Sequence, residues 1–460
     1  MIDIIMDENI NGPRTFSRRQ VLGLGLGVVA GLEVATKIPQ VLPPALEAIG
    51  RRLLQEQYSL EENDSGIIVT VVDAIGFGKA TAELAKRRAE KDQRPFEIRC
   101  HKGKYLFNHP QDIVVPSIHP QKDKPESSFQ TSAAIVLPDN TSLTAIDADV
   151  EFELPPSEVC LYQHITTENA DVRIEGISFT SKGKVGHRGL DSGGVNTMLL
   201  IVGNDRQTSS GVVTIKNCRF NEQTDYDIYE PYKDYETDFR SGIVVKNVKK
   251  CDVDSVICHN PRWDGILGVN ISDMTVSNSV IDRAVQKATL AGSAIALINR
   301  IKRGVKLTVR RSQIHNFRKC IGAFDGEIDV TVDNVQCSQE KDVDPSRYSW
   351  VFGGDDFNLV ADHVTARGPM YKAFLVKTGE KPTRYKFTNC SFEIDNTPNL
   401  DEPPSIFYNQ QVIDGRWNSV VTGENNEIRF RHHTTEEASE AFVLSRLPGF
   451  MSGVWENTTK

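Results

Sequence analysis

The sequence predicts an all-β solenoid, a parallel β-helix whose coils stack along one axis, with a short capping helix at its N-terminal end. Three observations predict it. A hexamer with apolar or β-branched residues at its first, fourth and sixth places recurs from about residue 170 onward. Its third place holds asparagine at the same phase four times, at Asn217, Asn278, Asn334 and Asn389. Between hexamers runs a second short strand, opened by Gly242-Ile243, Gly265-Ile266 or an equivalent pair.

From the N-terminus, residues 1–36 form a signal segment. Ser17-Arg18-Arg19-Gln20-Val21-Leu22, followed by the Gly/Leu/Val run Gly23 to Leu32, resembles a twin-arginine export signal. The run is shorter than the roughly twenty apolar residues of a membrane span, and Glu33 ends it. Val28-x-Ala30 is the best cleavage candidate. Such a leader implies export in folded form through the twin-arginine machinery, a periplasmic or extracellular location, and no permanent span once it is cleaved. Residues 37–64 form a spacer. The β-helix domain with its N-terminal cap covers 65–430, opening with a strand at Ile67 to Val72 and a helix from about Lys79 to Asp92. Leu84, Ala85 and Ala89 give that helix a thin apolar stripe suited to plugging the end of a solenoid.

The hexamers then follow: Ile174 to Phe179, Ile215 to Phe220, Val253 to Cys258, Val276 to Ile281, Val309 to Ile314, Val332 to Cys337 and Phe387 to Phe392. A weaker copy lies at Ala361 to Ala366. Period-2 alternation makes strands, and the third place interrupts it. Asparagine tolerates a left-handed backbone, so it suits a sharp corner between two short strands. Coils about 4.8 Å apart would stack those amides into a ladder. A propeller or sandwich would need tight antiparallel hairpin turns, which are few here. Residues 431–460 lose the repeat and cap or trail the last coil. The eight cysteines, Cys100 to Cys390, show no Cys-x-x-Cys and no zinc spacing, and several sit at apolar places of the repeat. They are expected to be small buried hydrophobes.

With these repeats in place, the chain resembles the right-handed parallel β-helix of the pectate-lyase superfamily over roughly residues 65–430. Gly76-Phe77-Gly78 and Lys102-Gly103-Lys104-Tyr105 resemble that family's cap. The resemblance implies that the Gly-Ile strands form an exposed groove. The residues just before them are Ser241, Asp264, Ser293, Lys319, Ser349 and Lys372. Asn260-Pro261-Arg262-Trp263-Asp264-Gly265-Ile266 resembles the Asn-Thr-Asp-Gly-Ile stretch of polygalacturonase-type hydrolases, with Asp264 on the catalytic aspartate. The next coil, Ala291 to Ile295, carries no second carboxylate, and Asp355-Asp356 follows its strand instead. Lyase chemistry asks for a base and a cation that neutralises a uronate carboxylate. The candidate catalytic residues are therefore Asp264, Lys319, Arg318 and Lys372. Trp263, Arg240, Tyr348, Trp350 and Tyr371 are candidates for binding sugar rings and their charges.

Composition bounds the function. The 460 residues are 39% hydrophobic and 25% charged, with a net charge of −9, the wrong sign for a general nucleic-acid binder. No phosphate-binding glycine loop and no Gly-x-Ser-x-Gly elbow occurs. Two further segments draw notice. The insertion Glu222 to Arg240 alternates four tyrosines with carboxylates and suits a sugar-site lining, Ca²⁺ binding through Asp225 and Asp227, or a plain solvated loop; His187 lies in another loop and could act as a base. No cofactor is required by the pattern. The expectation is an exported, polysaccharide-binding and polysaccharide-degrading β-helix of lyase or glycoside hydrolase type. Its competitor is a non-catalytic glycan-binding or scaffold β-helix.

Overall fold

The computed structural model describes residues 57–116, 128–155, 157–181, 197–204, 210–222, 241–261, 264–282, 292–300, 304–317, 319–339, 350–355, 357–368, 372–377, 383–395, 407–409, 420–431 and 455–457. The leader, the spacer up to residue 56, the tyrosine-rich insertion with Asp225 and Asp227, and His187 lie outside them. Among the described residues, strands form three sheets of 13, 12 and 11 members, here A, B and C. Each coil visits C, A and B in turn: Ser241–Lys246, Val248–Asp254 and Ile257–His259, before Ile266–Val269 begins the next. Successive coils pair in parallel, for instance Val253 with Val276 and Cys258 with Ile281, after an antiparallel pair, Gln111–Pro116 with Ser128–Leu137, at the edge of sheet C. Parallel strands joined this way wind right-handed because strand twist favours that sense, and the chain is a right-handed parallel β-helix.

The third place of every hexamer is the corner between sheets A and B. Gly176, Asn217, Ser255, Asn278, Arg311, Asn334, His363 and Asn389 all have φ between +46° and +77° there. Their amides climb in step: Asn217 N–H donates to Asp254 O, Ser255 to Ser277 O, Asn278 to Arg310 O and Asn334 to Asp362 O. The four asparagines therefore stack at one corner, but not on one another, because Ser255, Arg311 and His363 stand between them. The expected amide ladder is not continuous here. Asn278 Nδ2 instead donates to the carboxylate of Asp254 at 2.6 Å, and only Asn425 reaches an asparagine, Asn389, at 3.4 Å.

A contiguous asparagine ladder sits at the other tight corner, between C and A, and is buried. Asn247, Asn270 and Asn299 are at most 1% exposed on successive coils. Asn270 Nδ2 donates to Asn247 Oδ1 at 3.1 Å, while its Oδ1 accepts the N–H of Arg300 at 3.2 Å. These amides fall just after an apolar strand rather than inside the hexamer, so the hexamer pattern did not register them.

The cap differs from the sequence expectation in its start and its face. Strand Tyr58–Asn63, within the expected spacer, pairs antiparallel with Gly66–Val71 and edges sheet A. The helix spans Ala74–Ala89, starting five residues before the expected Lys79, because Asp73 caps it by accepting the N–H of Gly76 at 2.7 Å. The buried stripe is Phe77, Ala80 and Leu84, and Ala85 and Ala89 are exposed. Tyr105, fully buried beneath the cap, donates its hydroxyl to Val71 O and His101 O. At the far end of sheet B, Trp455–Asn457 pairs parallel with Asn426–Arg431.

The interior is one continuous column of Val, Ile, Leu, Phe and Cys, with rings such as Phe179 and Phe220 stacked at 5.1 Å. All eight cysteines are buried, and none is in a disulfide. Burial raises the thiols of Cys100, Cys218, Cys251 and Cys390, the last to about 11, so these pack rather than react. Sheet C departs from alternation: Ser241–Lys246 and Ile266–Val269 are buried at every position. Val202, Val244, Leu267, Val269 and Ala296 form a second apolar cluster on its outer face. The resemblance implied an open groove here, and the structure corrects it. Runs such as Ile243-Val244-Val245 are apolar on both parities because both faces are buried.

The two corners predict different costs. Asn270→Ala removes the partner of Asn247 Oδ1 and of the Arg300 N–H and places a Cβ residue without a polar side chain at φ +55°. It should lower the unfolding free energy by about 3 kcal/mol, from orphaned buried groups and left-handed strain. Asn334→Gly keeps an unstrained corner and should cost about 1 kcal/mol or less. Urea unfolding of the two variants measures the contrast.

Candidate active site

Register aligns the expected column at the starts of the sheet C strands. Ile243 pairs with Ile266, and Ile266 with Ile295, which sets Ser241, Asp264 and Ser293 level on successive coils. Ser293 then pairs with Lys319, Lys319 with Trp350, and Trp350 with Lys372. The fifth place belongs to Trp350 rather than Ser349, because Ile321 pairs with Phe352, one residue beyond the expected match. Backbone register thus brings Asp264, Lys319, Trp350 and Lys372 together on one rim. Arg240, Trp263, Arg318, Tyr348 and Tyr371 lie outside the described residues.

Asp264 is the centre of the rim. It is 5% exposed, and its Oδ1 accepts the N–H of Ser293 from the next coil at 2.7 Å. Burial pushes its carboxyl up to about 6, against the Ser293 hydrogen bond and the charge of Lys319, which both pull it down. Desolvation wins because two modest stabilisers do not replace a full hydration shell. The glycine that follows is dictated by space. A Cβ on Gly265 would lie about 2.5 Å from Ala294 O and from the Ile281 side chain. Asp-Gly-Ile is therefore the local solution to turning a strand inward directly after an outward carboxylate.

Lys319, half-buried two coils on, holds its ammonium 4.9 Å from the centre of the Phe324 ring. Phe324 lies back over Gly322, where any side chain would collide with that ring and with the Ser293 hydroxyl. The rim thus offers a dry carboxyl able to exchange a proton near neutral pH, a serine hydroxyl and an ammonium against an aromatic face. Among the described residues no second carboxylate joins this column, whose other places include Thr197, Ser241, Ser293, Lys319, Trp350 and Lys372. Asp355 ends its strand opposite Lys377, at the far edge of the same sheet.

Two features escaped the sequence reading. Lys246 is fully buried in the outer apolar layer of sheet C, in register between Val202 and Val269, and is partnered there. A lysine closing the run Ile243-Val244-Val245 was the available signal. At the ends of the sheet B strands, where the chain turns back toward sheet C, His259, Asp282, His315 and Ser338 follow one another coil by coil. His259 Nδ1 is 3.4 Å from Asp282 Oδ2, and His315 Nδ1 is 2.6 Å from Ser338 Oγ. Each occupies the same last place of a three-residue strand, a phase visible only after the coils are stacked.

No family model and no curated protein matches the chain. Among solved structures, it is similar to the catalytic domain of a GH87 alpha-1,3-glucanase variant in complex with tetrasaccharides, at 10% identity and a TM-score of 0.35, covering 87% of this chain and 69% of that one. The same catalytic domain in complex with nigerose gives 9% identity and a TM-score of 0.34, covering 92% and 69%. No helix among the described residues is long and apolar enough to cross a membrane.

Because the Asp264 carboxyl is raised in the folded chain, the folded state holds its proton more tightly than the unfolded state between about pH 4 and 6. Stability from this group therefore falls as pH rises through that window and stays reduced above it. Asn at this place retains an acceptor for the Ser293 N–H without the buried charge. Asp264→Asn should be more stable than the parent at pH 8 by up to about 3 kcal/mol, with the advantage gone near pH 4. Urea midpoints at the two pH values read the sign directly.

Proposed function

We propose that the chain is an exported polysaccharide-degrading β-helix, akin to the pectate-lyase superfamily, whose Asp264–Lys319 rim acts on uronate-bearing chains by β-elimination. The observation that carries this reading is a carboxyl raised to about 6 in the same outward column as a lysine two coils away. Two strand spacings separate them, about 9.6 Å along the axis. In β-elimination a cation stabilises the negative charge that develops on the uronate carboxylate, and a base takes the proton from the adjoining carbon. A C=C bond forms as the glycosidic C–O bond of the next carbon breaks, and the departing sugar oxygen takes a proton from water. Lys319 suits the first task. Asp264, ionised above about pH 6, suits the second, and its dry setting makes it a stronger base than an ordinary aspartate. Lys372 and Trp350 extend the row, in register, for further sugar units. Hydrolysis by two carboxylates is less well supported, since it needs a second acid about 5 to 9.5 Å away. The leader, from Arg18-Arg19 to Leu32, supports export by the twin-arginine route to the periplasm or the exterior.

One observation favours a non-catalytic glycan-binding or scaffold role: Asp264 is only 5% exposed, beside an outer face that is itself buried. A panel of uronate-containing and neutral polysaccharides separates the readings. The proposal expects reducing ends and the ultraviolet absorbance of unsaturated product to rise together on uronate polymers, with kcat/KM increasing through about pH 6. Asp264→Asn should lower it by about a thousandfold and Lys319→Gln by about a hundredfold. Reducing ends without absorbance would mean hydrolysis, and binding without either product would mean a scaffold.

A further inference from the structure

The residue just before each A–B corner points outward, and in-register pairing stacks these residues as Asp254, Ser277, Arg310, Asp333, Asp362 and Thr388. Asp333 and Asp362 are the one place in this row where two carboxylates are direct neighbours, an arrangement that like-charge repulsion disfavours. Arg310 precedes them, yet no ion pair joins it to Asp333 among the described residues. Two carboxylates of this row, Asp254 and Asp362 itself, are met by a corner asparagine of the following coil. Asn278 donates to Asp254 at 2.6 Å, and Asn389 to Asp362 at 3.1 Å. Asp333 meets a different group, since the corner residue of its following coil is His363, with φ +50°.

The geometry points to a divalent transition-metal site formed by Asp333, Asp362 and His363, stapling two successive coils. One donor atom from each residue lies within 4.8 Å of the others, and His363 Nδ1 is 3.0 Å from Asp362 Oδ1. Bonds of about 2.1 Å around a tetrahedral ion set ligands roughly 3.4 Å apart, so the nearest pair is already in range and side-chain rotation closes the widest. Two carboxylate oxygens and one imidazole nitrogen form a donor set for zinc-like ions, with the exposed imidazole leaving the fourth position to water. Calcium and magnesium, which take oxygen ligands, would gain nothing from His363. The site lies on the A–B corner, away from the sheet C rim, and stands independently of the proposed catalysis.

The full chain supplies the test. Titration with ZnCl₂ in a calorimeter should show saturable binding with one ion at this site, and Zn²⁺ should raise Tm while CaCl₂ does not. His363→Asn installs the residue that the same corner uses at Asn334 and Asn389, so the coil keeps its turn. It should weaken Zn²⁺ by about tenfold or more and remove the Tm rise, and Asp333→Asn should do the same. Absence of saturable binding in the parent, or Zn²⁺ affinity unchanged in His363→Asn, overturns the site.

Discussion

A chain that passes from one sheet to the next through a single left-handed residue cannot slip by one position, because a one-residue shift would turn its buried row to water. Gly176, Asn217, Ser255, Asn278, Arg311, Asn334, His363 and Asn389 all occupy that left-handed state, and each bonds its N–H to the next coil. Register at this corner propagates along both flanking sheets. It sets Val253 on Val276 inside and, around the same coils, Asp264 level with Ser293 outside. The placement of any active rim on sheet C is thus inherited from corners on the opposite side of the coil.

The coils were legible because their signal is local and repeated. The hexamer joins the end of one strand, the left-handed residue and the start of the next, so three constraints fall within six residues. Even Arg311 and His363, poor advertisements for a left-handed turn, were placed by the apolar residues around them. What stayed hidden depends on contacts between coils. The Asn247–Asn270–Asn299 ladder, the His259–Asp282–His315 row and the pairing of Lys319 with Trp350 appear only when loops of unequal length are spanned. The cap helix was misplaced for another reason: its start is fixed by the Asp73 side chain rather than by apolar spacing.

Sheet C shows why a motif alone does not define an open site. Its strands are apolar on both parities and buried on both faces, so the polar residues at their starts form a rim and not the floor of a groove. The Asp-Gly-Ile stretch that suggested chemistry also has a packing cause at Gly265. What packing does not require is a carboxylate in that column. Among the described residues no cation forms an ion pair with Asp264, and burying a carboxylate in this way costs stability, a cost characteristic of functional positions. Lys319 lowers it only in part.

Proton transfer at the sheet C rim requires that the Asp264 carboxyl be dry and proton-holding in the folded chain. Carboxyl-carbon NMR of chain labelled at aspartate, assigned by difference against Asp264→Asn, follows this group alone. A titration midpoint at about 6 is the expected result. A midpoint at or below the ordinary aspartate value of about 4 would mean a hydrated or fully paired carboxylate, and would contradict the rim as a site of proton transfer.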